Sequence, residues 1–386
     1  MTKDSRLAKR TSVHLDAIRG VSAVAVLLYH LRGLFFVDYP QLAGKSIFLM
    51  ALYAFTGYGH QAVMVFFVLS GYFIGTNVLV SVGNGRWSWR TYLLSRVTRL
   101  HLVLFPALVL GAVWDRIGMR IPQAASIYYD GLYKFYGPSV ALRSTVPIFF
   151  ENFFYLQSII SPAFGSNTPL WSLSYEFWYY LVFPALILVA ATCVEIRLRI
   201  LYAGLALLLL WFVGALIVFY FPIWLAGTLV GRLQRATKVR SRSLTLPLVG
   251  GVIFIACLAW SRRHHLSPDL LTDYLVAFGF ALWLYTLLLG SREDASPAYA
   301  YGAKKLAGFS YTLYLTHMPM LLLLRGLLAP HGNWQPDSLH LAYALGIAML
   351  LLTYSYWVAE FTEARTASVR RRLLESKIFL GSEPRL

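Results

Sequence analysis

The chain has 386 residues, of which 58% are apolar, 16% aromatic and only 13% charged. A water-soluble protein of this length would have an overfilled core and an adhesive surface, so an ordinary soluble enzyme, a disordered chain and a fibrous protein are excluded, and the composition implies an all-α polytopic membrane helical bundle. The net charge of +17 would suggest nucleic acid in a soluble chain; here the cations sit between apolar segments, so no nucleic-acid partner is expected, and two cysteines are too few for a disulfide scaffold.

Apolar runs of about 20 residues predict about ten transmembrane helices, over 14–36, 58–80, 97–115, 170–192, 200–219, 221–233, 244–260, 271–290, 305–325 and 339–362. The sixth is short and carries Pro222. Residues 146–161 are apolar but too short to span, which suits a re-entrant or interfacial helix. No small-residue cleavage site closes the first run, so it reads as a retained helix. Residues 1–13 then form a cytoplasmic N-terminal segment, 14–362 the transmembrane domain, and 363–386 a basic cytoplasmic tail suited to an anionic lipid surface. With alternating spans, 24 of the 34 Lys and Arg fall on one side, which the positive-inside rule makes cytoplasmic along with both termini.

Charges within spans are costly and invite a functional explanation. In the first span Arg19 and His30 are 11 residues apart, about three turns, so they share a helix face with a rise between them of about 16 Å. Ala23 and Val26 keep that face narrow. Arg19 could equally pair with Asp16 and reach toward water. The fourth span carries Glu176, and the ninth carries His317. Counted from the outer helix ends, His30 and Glu176 each lie about 9 Å deep and His317 about 12 Å. A carboxylate near a histidine can orient it and raise its basicity, or the pair can simply join helices. Arg96 and Arg99 sit at i, i+3 near the cytoplasmic end of the third span; they read either as topology-setting cations or as a phosphate clamp. Gly71 with Gly75, and Gly227 with Gly231, make small-residue faces for close helix packing. His60, His101, His264, His265, His331 and His340 lie near predicted ends or in loops and read as solvated or interfacial. No His/Asp/Glu pair at ligand spacing within a span suggests a metal.

Five stretches taken together resemble the acyltransferase-3 family of membrane acyltransferases. They are Leu15-Asp16-Ala17-Ile18-Arg19-Gly20 with Tyr29-His30, Phe66-Phe67-Val68-Leu69-Ser70-Gly71-Tyr72-Phe73-Ile74, Arg96-Val97-Thr98-Arg99-Leu100 with Pro106, Leu170 to Leu181 with Pro184, and Phe309 to Pro319. Met64 and Val65 stand where the family often has an acidic residue, and Trp178 where it commonly has Phe. With only about 20 residues after the last span, the chain resembles the members without a fused hydrolase-like domain. The resemblance implies transfer of an acyl group, acetyl before longer chains, from acyl-CoA (acetyl-CoA first) to a hydroxyl of a cell-envelope or exported carbohydrate or lipid-linked glycan, in a bacterial inner membrane. It implies catalytic roles for His30, Glu176 and His317, acyl-CoA binding by Arg19, Arg96 and Arg99, and acceptor binding by Trp171, Ser174, Tyr179, Ser310 and Tyr314. A proton-coupled transporter or flippase for a lipid-linked sugar or small anion is the competing class, since it also needs intramembrane Arg, His and Glu. A homo-oligomer is left open.

Overall fold

The computed structural model describes residues 3–130, 139–237, 245–263, 270–290 and 296–375; the end of the basic tail, 376–386, lies outside them. Among the described residues the regular structure is helical, with no strand. The first helix, α1 (Lys3–Phe35), starts in the basic N-terminal segment and runs on through the first apolar stretch. A short α2 (Ile47–Phe55), capped by Ser46, leads into α3 (Gly59–Ser70), a π turn (Gly71–Gly75) and α4 (Thr76–Gly83), which together make the second crossing. Ser88 caps α5 (Trp89–Arg120), and a proline at the first position starts α6 (Pro122–Tyr129).

Within the run 146–161, α7 (Val146–Phe153) has eight residues, about 12 Å, and cannot cross. It exposes Val146 and Phe150, as an interfacial helix does. α8 (Leu170–Ala190) is followed by α9 (Ile196–Ala236), whose 41 residues would extend about 60 Å, twice the bilayer core. α9 resolves this length at Gly214, where φ is +78°, open to glycine at little cost. Before that residue its contacts run antiparallel to α8, with Arg199 bonded to Val189 and Phe212 against Trp178; after it they run parallel, with Phe221 against Tyr179 and Trp224 against Phe183. The predicted division between 219 and 221 therefore lies at Gly214, and Pro222 sits inside the second leg.

α10 (Thr245–Arg263), α11 (Leu270–Gly290), α12 (Pro297–Gly308), α13 (Ser310–Leu328), α14 (Ser338–Phe361) and the basic α15 (Thr366–Glu375) complete the chain. Eight helices among the described residues are long and apolar enough to cross a membrane. The second leg of α9 and the more polar α13 bring the crossings to the predicted ten. The predicted span 305–325 is interrupted at Phe309, which separates α12 from α13.

α13 is the axis of the bundle. It packs on α1, α5 and α14, and Leu313, Leu315, Met318 and Leu321 on it are fully buried. The two glycine faces meet each other. A Cβ on Gly71 would lie 1.8 Å from the Trp224 carbonyl oxygen, and one on Gly227 1.8 Å from that of Val68. Backbone thus touches backbone where the π turn crosses α9, and the Thr228 hydroxyl donates to the Gly71 carbonyl at 3.0 Å.

Candidate active site

α1 and α13 bring His30 and His317 together, with Nδ1 of His30 2.9 Å from Nε2 of His317. His317 Nδ1 is 2.9 Å from the Leu313 carbonyl, which can only accept, so Nδ1 carries the proton. A neutral His317 then has a bare Nε2, and His30 must donate to it from Nδ1. That leaves Nε2 of neutral His30 with its lone pair, the arrangement a general base needs. His317 is fully buried and lines none of the cavities described below.

Three adjoining cavities follow the polar residues. His30 lines one of about 300 Å³ together with Tyr29, Arg32, His60, Trp171 and Tyr314. A second, of about 400 Å³, runs from Arg19, Arg96 and Arg99 to Ser70, Glu176, Ser310 and Tyr314. A third, of about 340 Å³, shares the three arginines and Tyr311 with the second and is also lined by Glu363, Thr366 and Arg370 from the C-terminal segment. Tyr314 is common to the first two. Its hydroxyl donates to the Pro169 carbonyl at 3.1 Å and lies 2.7 Å from Ser172 Oγ, which fixes it as the wall between them.

The interruption at Phe309 leaves the Ala307 carbonyl to accept from Arg19 at 3.0 Å and from Ser310 at 2.9 Å. Arg19 also pairs with Asp16 at 3.6 Å, as the structural reading of that residue requires, yet it lines both inner cavities. Among the described residues, Nε of Arg19, Nε of Arg96 and the hydroxyls of Tyr311 and Thr366 are buried without a hydrogen-bond partner, and all four residues line these cavities. Buried polar atoms are nearly always satisfied. Four orphans around one cation cluster fit a seat for a polyanionic ligand.

Glu176 belongs to this arginine side. Its carboxylate accepts from Ser70 at 2.8 Å and from Tyr180, and Ser70 also accepts from Trp224 Nε1 at 3.1 Å. No described hydrogen bond joins it to His30, whose partner is His317. The equal depths read from helix ends fail because α8 does not start at the surface: Asn167, just before it, is buried and donates to the Leu315 carbonyl at 2.7 Å. Glu176 is thus about 9 Å further in than a point already level with mid-α13.

Of the residues implied for the acceptor, Trp171 lines the His30 cavity, Ser310 the arginine-side cavity and Tyr314 both. Ser174 and Tyr179 line none of the three. Ser174 is buried and donates to the Tyr155 carbonyl at 2.8 Å, and Tyr179 to that of Ile217 at 2.6 Å, so both hold helices together. Three contributors escaped the sequence reading: Arg370, Ser70 and the pair His60–Asp273. Only Ser70 lay inside a motif that could have singled it out. Among the described residues no group of three His, Cys, Asp or Glu could hold a metal ion.

The fold and site define a polytopic membrane protein with a part-buried imidazole pair and a guanidinium-lined cavity. The chain belongs to the acyltransferase family whose model, described as an acyltransferase domain, matches residues 13–358. It is 26% identical over 255 residues to the candidate peptidoglycan O-acetyltransferase YrhL of Bacillus subtilis (strain 168), covering 65% of this chain and 33% of that protein. It is 26% identical over 198 residues to the peptidoglycan O-acetyltransferase OatA of Listeria monocytogenes serovar 1/2a, covering 49% of this chain and 26% of that protein. The chain thus matches about a third and a quarter of these relatives' lengths. No solved structure matches it.

Proposed function

We propose that the protein is a membrane O-acyltransferase that moves an acyl group, acetyl first, from acyl-CoA at the arginine-lined end to a hydroxyl of a carbohydrate or lipid-linked glycan in the His30 cavity. In this reading the arginine end and both termini face the cytoplasm of a bacterial inner membrane. The carrying observation is the His30–His317 pair, with His30 lining one cavity, beside a second cavity lined by an arginine cluster in which Nε of Arg19 and Nε of Arg96 are buried without a hydrogen-bond partner. Coenzyme A is a cytosolic polyanion and cannot cross the bilayer. Arg19, Arg96, Arg99 and Arg370 would hold its phosphates by charge-assisted bonds. Its pantetheine arm is about as long as the Arg19-to-His30 rise of about 16 Å, so the thioester would reach the Tyr314 wall. His30 Nε2 would take the proton from the acceptor hydroxyl as that oxygen attacks the thioester carbonyl. The tetrahedral intermediate would expel the coenzyme A thiolate, which takes the proton back from His30. The names of the two relatives support a carbohydrate acceptor.

The test mixes acetyl-CoA with a soluble glycan and the purified protein in lipid nanodiscs and follows free thiol and glycan mass. Wild type should release coenzyme A in step with an acetylated glycan. His30→Ala should lose about 10²- to 10⁴-fold in rate and still bind coenzyme A. Full activity in His30→Ala rejects the base. Glycan translocation without thiol release assigns the protein to transport.

A further inference from the structure

The His30 cavity contains a second imidazole that neither the family motifs nor the mechanism above uses. His60 stands at the start of α3, and its Nε2 is 2.9 Å from both carboxylate oxygens of Asp273 on α11. Asp273 is buried at 3% exposure and is fixed from behind by the Tyr220 hydroxyl at 2.6 Å. A carboxylate only accepts, so His60 Nε2 carries the proton and Nδ1 of neutral His60 keeps a lone pair. The ring plane is set too: it stacks on Trp171 at 6.0 Å between centroids and 20° between planes. That stacking covers one face of Trp171, so the tryptophan serves here to orient His60. Unlike His317, the His60 side chain is 43% exposed and lines the same cavity as His30. One cavity of about 300 Å³ therefore holds two imidazoles, each locked from behind by a hydrogen bond and each with one nitrogen free to accept. That volume suits a small polar ligand.

We propose that His60 is an acceptor-binding residue: its Nδ1 accepts a hydrogen bond from a second hydroxyl of the same sugar, which sets the reacting hydroxyl against Nε2 of His30. Asp273, backed by Tyr220, is the positioning residue that fixes His60. The substrate class that follows is a polyhydroxylated ring presenting at least two free hydroxyls to the cavity; an isolated alcohol would use only one of the two imidazoles. The proposal rests on the acyl-transfer reading and names the acceptor side of that site.

The test uses the full chain in nanodiscs, acetyl-CoA as donor and a β-1,4-linked N-acetylglucosamine tetramer as the acceptor probe. His60→Gln keeps an amide that can reach Asp273 but has nothing at the Nδ1 position. It should lower kcat/KM for the tetramer about ten- to a hundredfold, chiefly through KM, with coenzyme A affinity and Tm unchanged. His60→Asn places its Oδ1 near the Nδ1 position and should recover part of that loss. Unchanged acceptor kinetics in His60→Gln overturn the proposal while leaving acyl transfer intact. Equal losses in both variants with a lowered Tm also overturn it and make His60 a structural tie to α11. A wild type that neither acetylates nor binds the tetramer rejects the parent reading and this one with it.

Discussion

Replacing His317 by Phe tests whether the neighbour of His30 determines which nitrogen is the base. Phe conserves the ring and most of the volume of a fully buried side chain, so packing should hold. It deletes the Nε2 atom that accepts from His30 at 2.9 Å and the Nδ1–H that donates to Leu313 at 2.9 Å. The lost bond is one that favours the His30 tautomer with a bare Nε2. A buried hydrogen bond left without its partner costs about 1–3 kcal/mol, and each 1.4 kcal/mol is about tenfold in a population. The ratio of the bare-Nε2 to the bare-Nδ1 form of His30 should fall about ten- to a hundredfold, and kcat/KM for thiol release should fall as the bare-Nε2 share does. Coenzyme A affinity, measured by calorimetry, should not change, because His317 lines none of the three cavities. His317→Gln, whose amide oxygen can accept from His30, should retain more activity than the Phe variant. A His317→Phe protein within threefold of wild type would refute the tautomer argument.

The other expected outcomes concern the donor seat and the helix crossing. Arg96→Ala and Arg99→Ala should each weaken coenzyme A binding about ten- to a hundredfold, more at low salt than at high, as expected for guanidinium–phosphate bonds; unchanged binding would leave those arginines with topology alone. Arg370→Ala should weaken it less, because Arg370 lines only the third cavity and is already engaged with Ser95 at 3.3 Å. Gly227→Ala puts a methyl group 1.8 Å from the Val68 carbonyl, so the helices must part by roughly 2 Å to reach ordinary contact. It should cost about 1–3 kcal/mol or more, read as a lowered Tm in nanodiscs; a Tm equal to wild type would show that the π turn yields freely.

The spans were legible because a bilayer requires long apolar runs, and the similar depths of His30 and His317 could be counted from the outer ends of theirs. Glu176 was placed wrongly for a reason visible only in three dimensions. The segment before α8 is folded inward, with Asn152, Gln157 and Asn167 buried and hydrogen-bonded, so the start of that helix is not a surface marker. Ser174 and Tyr179 sit in the same motif as Trp171, but motif membership does not say which face of α8 looks into a cavity. His60 and Asp273 escaped because each lies at the edge of its apolar run, where a polar residue needs no explanation. Only the packing of α3 on α11 turns them into a pair.

The spacing of the two central motifs follows from how α1 packs on α12 and α13. Arg19 bonds to the carbonyl of Ala307, and His30 bonds to His317. The helices therefore run parallel, and 11 residues of one match about the same length of the other. The ten residues between Arg19 and His30 match this packing: one helix reaches the Ala307 carbonyl at the end of α12 and the His317 imidazole on α13, three turns apart. Buried Ala23 and Val26 fill the interval on α1, and Ser310, Tyr314 and His317 follow at i, i+4 and i+7 on α13, so the polar groups of each helix form a single stripe. The two stripes meet at the wall made by Tyr314, held to the start of α8 by Pro169 and Ser172. In the proposed reaction, an arginine-lined cavity and the His30 cavity that share this one residue would be close enough for a thioester arm to span them.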